Sequence, residues 1–96
     1  MMYFITTVEE KDGDIVDRRC VGYVDTLCEA EKIVVNNEYD IFEYCYNYAV
    51  IEAIPSGVYQ YDQAARWYRI VFKEENSYYE RIEKPKWADT VGWAIG

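Results

Sequence analysis

The residues predict an α+β fold: one antiparallel sheet of about five strands, with one main helix and a short second helical turn on one face. Three observations carry the prediction. Short β-branched and aromatic runs occur at both ends of the chain, with turn residues between them. The strong helix-start signal falls between the second and third of these runs rather than after every strand. One central run is apolar almost throughout, as expected of a strand covered on both sides.

Taken in order, Tyr3 to Val8 reads as a strand, and Glu9-Glu10-Lys11-Asp12-Gly13-Asp14 follows it. Asp-Gly favours a tight hairpin turn because both positions tolerate positive φ. The return strand runs from about Ile15 to Val24. Strict alternation would put Arg18, Cys20, Gly22 and Val24 on one face, and Asp17, Arg19, Val21 and Tyr23 on the other. Thr26-Leu27-Cys28-Glu29 matches a capping box, so a helix is expected to begin at Leu27. Leu27, Ala30 and Val34 recur at helical spacing, Ile33 widens the stripe, and Asn36-Asn37 supplies the stop. Asp40-Ile41-Phe42-Glu43 repeats the capping pattern and predicts the second helical turn through Tyr44, Cys45 and Tyr46.

Tyr48 to Ile54 is the apolar run, ended by Pro55-Ser56-Gly57, and belongs in the middle of the sheet. Residues 65–73 and Tyr78 to Glu83 read as a second hairpin. With Lys73 opposite Tyr78, its faces are Tyr68, Ile70, Phe72 and Tyr79 on the core side, and Trp67, Arg69, Val71, Tyr78, Glu80 and Ile82 on the outer side. Pro85 breaks the ladder. The tail from Trp87 to Gly96 has Val91, Trp93 and Ile95 at strand alternation and is expected to pack back on the sheet.

At 96 residues the chain forms a single domain over 1–96, because its apolar residues cannot supply two cores. A hydrophobic fraction of 51% with 18% aromatics separates it from disordered chains, despite a net charge of −8. It is expected to fold alone or as a homo-oligomer. No stretch approaches the roughly 20 apolar residues of a membrane helix. The N-terminal residues carry no secretory pattern, so the expected location is the cytoplasm. Cys20, Cys28 and Cys45 are odd in number and widely spaced, which suits free thiols better than a disulfide framework.

Catalytic chemistry finds no purchase in this sequence. Histidine is absent, the glycines are isolated, and no Gly-x-Ser-x-Gly elbow, phosphate loop or metal-ligand spacing occurs. The expectation is therefore a non-enzymatic binding protein without catalytic residues, metal or cofactor. Charge asymmetry shapes the leading idea of its partner. Residues 1–48 hold eleven acids against four bases, a balance of −7, while the remaining half stands at −1. Such a surface repels nucleic acid and anionic membranes, and it attracts protein surfaces built to hold phosphate. Asp12, Asp14 and Asp17, around the predicted turn, are the candidate partner-binding acids. A different reading starts from the second half, where Arg66, Trp67, Tyr68, Arg69, Tyr79, Arg81 and Trp87 lie close in sequence. Trp67, Arg69, Tyr79 and Arg81 could hold a small nucleotide signal by stacking and by arginine contacts to phosphate.

Tyr3-Phe4-Ile5-Thr6-Thr7, Asp17-Arg18-Arg19-Cys20-Val21-Gly22, Tyr48-Ala49-Val50-Ile51-Glu52 with Pro55-x-Gly57, Trp67-Tyr68 and Ile82-Glu83-Lys84-Pro85 together span most of the chain. In these segments it resembles a group of small acidic proteins of phages and prophages of low-GC Gram-positive bacteria, to which no activity is assigned. The resemblance implies a setting in the host cell cytoplasm. There it suggests an inhibitor of a bacterial defence or other nucleic-acid-handling protein.

Overall fold

The computed structural model describes residues 2–54, 65–73 and 76–88. Within them, β1 (Met2–Lys11), β2 (Asp14–Val24), β3 (Tyr48–Ile54), β4 (Ala65–Phe72) and β5 (Ser77–Ile82) form one antiparallel sheet in the order β2-β1-β3-β4-β5. Helix α1 (Leu27–Val35) and a 3-10 turn (Glu38–Asp40) follow β2. The α+β class and the helix on one face are thus as the sequence predicts.

The first hairpin is longer than the local residue types suggest. Glu9, Glu10 and Lys11 continue β1 to the tip, and only Asp12 and Gly13 turn, at φ 55° and 86°. Two consecutive left-handed residues make the type I′ geometry whose twist matches that of the paired strands. The Glu10 carboxylate accepts the Gly13 amide at 2.7 Å and locks the turn. The two faces expected of the return strand are corrected by irregularities. Register shifts fall between Ile5 and Thr6 and between Glu9 and Glu10, leaving Val21 and Val16 as the extra residues of β2. Each bulge flips the alternation. Val24, Val21, Arg19 and Asp17 therefore accompany the helix side, instead of splitting between two faces.

Helix α1 starts at Leu27, where the Thr26 hydroxyl accepts the Glu29 amide at 3.2 Å. It ends at Val35, and Asn37 turns left-handed at φ 47°. Ala30 and Val34 face the sheet and are fully buried, with Leu27 and Ile33 beside them. The second helical turn is displaced. Asp40 does not cap a helix but closes the 3-10 turn at φ 51°, and the Asn37 side chain takes the Phe42 amide instead.

The core on the helix side joins Ile5, Ala49, Ile51, Tyr68, Ile70 and Tyr79 to Ala30, Val34, Ile41 and Phe42. The opposite side holds a smaller cluster, Val8, Val50, Trp67 and Ala88. β3 is buried against both, which its apolar run requires. Asn47 carries this central strand one step further. Its side-chain amide exchanges hydrogen bonds with the Glu10 backbone at 2.8 and 3.0 Å, while its carbonyl accepts the Ile70 amide. In the second hairpin Val71 pairs with Tyr78, so Lys73 lies two residues out of the expected register. Because side chains alternate with period two, the predicted faces survive that shift. The turn at Pro55-Ser56-Gly57, the loop residues Glu74 and Glu75, and the expected tail strand with Val91, Trp93 and Ile95 lie outside the described residues.

Candidate protein-interaction face

On the helix side of the first hairpin, carboxylates from three separate elements, Glu9, Asp17 and Glu43, gather about Cys45 near the Arg19 guanidinium, and Glu9 is also 3.6 Å from the Lys11 ammonium. Glu9 of β1 is the cross-strand partner of Asp17 of β2. Arg19, two residues along, reaches Glu43 in the loop after the 3-10 turn, with Nη2 2.8 Å from Oε2. The same guanidinium lies 5.8 Å from the centre of the Tyr46 ring, and the Tyr46 phenol donates to Asp17 at 3.1 Å. Charges of one sign gathered this way alter their neighbours. Burial and then the charges of Glu9, Glu43 and Asp17 push the Cys45 thiol up, and Arg19 opposes them. The Tyr46 phenol is raised by burial, by its hydrogen bond to Asp17 and by that carboxylate's charge.

Asp12, Asp14 and Asp17 are all exposed. Asp12 sits in the hairpin turn and Asp14 pairs with Lys11 beside it. Asp17 lies further along β2, engaged by Tyr46. The hairpin thus extends the negative region from the Arg19 cluster to its own tip. Glu9 and Glu43 complete the cluster and were not among the expected acids. Their membership depends on a loop 34 residues away in sequence folding beside β1, which no local signal announces.

That loop has an unusual backbone. Asn37, Tyr39, Asp40, Glu43 and Tyr44 all have positive φ, between 47° and 60°. For non-glycine residues the left-handed conformation costs about 1–2 kcal/mol each. Burial of Ile41, Phe42 and Tyr46 offsets this, as does a hydrogen bond from the Tyr79 phenol to the Tyr46 carbonyl. The consequence is display: Tyr39 and Tyr44 are each 90% exposed.

The aromatic and arginine candidates of the second half do not assemble. Trp67 and Arg69 project on one side of the sheet, and Tyr79 and Arg81 on the other. Trp67, expected to face outward, is only 3% exposed. After Pro85 the chain turns so that Trp87 stacks edge-on against Trp67 at 5.5 Å and against Tyr48 at 4.8 Å. Tyr79 is completely buried, while Arg69 and Arg81 are exposed. On the helix side, Glu31 of α1 already occupies the space beside Arg66. Its carboxylate accepts the Tyr68 phenol at 3.2 Å and lies 3.9 Å from the Arg66 guanidinium. Burial, the Glu31 charge and that hydrogen bond push the Tyr68 phenol up to about 12.

Cys20 and Cys28 are exposed free thiols and Cys45 is a half-buried one. Among the described residues, no group of three or more cysteine, aspartate or glutamate side chains has the arrangement to hold a metal ion, and no helix is long and apolar enough to cross a membrane. No family model matches the chain, and no curated protein or solved structure is significantly similar to it.

Proposed function

We propose that this chain is a non-enzymatic binding protein that docks its acidic hairpin face on the basic surface of a nucleic-acid-handling protein, and inhibits it by standing in for phosphates. The observation that supports this reading is the gathering of Glu9, Asp17 and Glu43 about Cys45, in excess of their counterions Lys11 and Arg19 and continued to the hairpin tip by Asp12 and Asp14. Like charges held together in this way raise the free energy of the isolated protein, and a cationic partner relieves that repulsion. A cleft that binds nucleic acid already presents lysines and arginines at phosphate spacing. The resemblance to small phage and prophage proteins suggests the setting, a host defence or other nucleic-acid-handling protein in the cytoplasm. A nucleotide-sequestering role has less support, since the four side chains it requires lie on opposite sides of the sheet.

The test is affinity capture from bacterial lysate, followed by competition. A supporting result is a captured polypeptide that itself binds nucleic acid, is released by duplex DNA, and is held less tightly as salt rises. Recovery of a small nucleotide with the purified protein, and of no polypeptide that DNA displaces, would overturn the proposal.

A further inference from the structure

Beside the acidic cluster lies an aromatic group of which only one ring is buried. Phe42 is inserted into the helix-side core, but the two rings it touches are turned outward. Tyr44, with its ring centre 5.9 Å from that of Phe42, is 90% exposed, and Phe72, at 5.4 Å, is 66% exposed. The left-handed backbone at Glu43 and Tyr44 holds the phenol in this position. Large aromatics resting on a rigid, buried floor have the composition and the support of interface hot spots.

The surrounding charge selects the occupant. Glu43 immediately precedes Tyr44, and with Glu9 and Asp17 it leaves the local balance negative against Arg19 and Lys11, which pair with Glu43 and Glu9. A guanidinium satisfies a ring face and a carboxylate together, because it is planar, weakly hydrated and always charged, whereas an ammonium is a compact and strongly hydrated point charge. The chain carries an example of this chemistry within itself: Arg19 lies over the Tyr46 ring while it bonds to Glu43. We propose that Tyr44 and Phe72, on the floor made by Phe42, capture an arginine side chain from the partner's basic surface. The inference rests on the reading of a basic polypeptide partner and adds selectivity for arginine over lysine.

The experiment titrates the full chain with an oligoarginine peptide and an oligolysine peptide of equal length, followed by calorimetry and by amide and aromatic NMR shifts. Oligoarginine is expected to bind about fivefold more tightly, in keeping with cation–π contacts at an exposed site, and to shift the Tyr44 and Phe72 resonances. Tyr44→Ala and Phe72→Ala should each erase the preference while leaving oligolysine binding unchanged, and Tyr44→Phe should retain it. Combined Asp12→Asn and Asp14→Asn should weaken both peptides alike. Equal affinity for the two peptides, unaffected by Tyr44→Ala, overturns the arginine site and leaves the acidic-face reading standing. Binding of neither peptide at low salt overturns both. Concentration-dependent dimerisation that Tyr44→Ala abolishes would assign the rings to a second copy of the chain and overturn the inference in that way.

Discussion

The phenol of Tyr79, buried in the sheet, donates a 2.5 Å hydrogen bond to the backbone carbonyl of Tyr46. This single contact ties β5, at one end of the strand order, to the loop that carries the exposed tyrosines and Glu43. Tyr79→Phe keeps the ring but leaves a buried carbonyl without its donor, a loss of about 1–3 kcal/mol. Urea unfolding should show that loss, and hydrogen exchange should show faster opening at residues 42–46 than in α1. Unchanged stability would mean that the loop is held by its side-chain packing alone.

Alkaline pH should destabilise the fold through its buried phenols. In the unfolded chain a tyrosine ionises at about 10, whereas Tyr68 in the folded protein is pushed up to about 12 and Tyr79 is raised in the same sense. Between those values the unfolded state has released its proton and the folded state has not, so unfolding gains as pH rises. The stabilising contribution is complete below the unfolded value and is lost as pH climbs through the folded one. Denaturant midpoints followed by tyrosinate absorbance should fall across this window, and Tyr68→Phe should flatten the decline.

Neutralising Asp12, Asp14 and Asp17 together should weaken partner binding chiefly by slowing association, since exposed charges act over about a Debye length, ~8 Å at physiological salt. The deficit should shrink as salt is added. Asp17→Asn alone should leave folding intact, because the amide oxygen can still accept the Tyr46 phenol. Stopped-flow association with the captured partner measures both effects; a triple variant with a normal association rate at low salt rules out electrostatic docking through the hairpin.

Trp67→Ala should cost about 3–5 kcal/mol of stability, as expected for a large core aromatic, because Trp87 and Ala88 would lose the ring they cover. Arg69 is exposed, and Arg69→Ala should stay within about 0.5 kcal/mol of the parent. Thermal unfolding of the two variants checks this. A folded Trp67→Ala protein of parental stability that had lost a nucleotide ligand would instead restore the sequestration reading.

The thiols should differ in reactivity. Cys20→Ser and Cys28→Ser, at exposed positions, should change stability by no more than about 0.5 kcal/mol. Cys45 should be alkylated more slowly than its burial alone dictates, because Glu9, Glu43 and Asp17 disfavour its thiolate. Glu43→Gln should speed the reaction and Arg19→Ala should slow it, as read by mass spectrometry of alkylated peptides over time.

Much of the fold was legible wherever its cause is local. Asp12-Gly13 dictates the turn because few residues accept positive φ, Thr26 dictates the helix start because its hydroxyl reaches one amide, and the apolar Tyr48–Ile54 run demands cover on both sides. The faces of the second hairpin were legible even from a register two residues out, since side chains repeat every two. Tertiary structure decided the remainder. The bulges at Val16 and Val21 redistribute β2 between faces, and a segment beyond Pro85 turns Trp67 from a surface candidate into core. The left-handed run after α1 brings Glu43 to Glu9 and Asp17, which are distant in sequence. Those outcomes depend on which distant surfaces meet, and packing between elements, unlike a turn or a cap, is not written into any short stretch of residues.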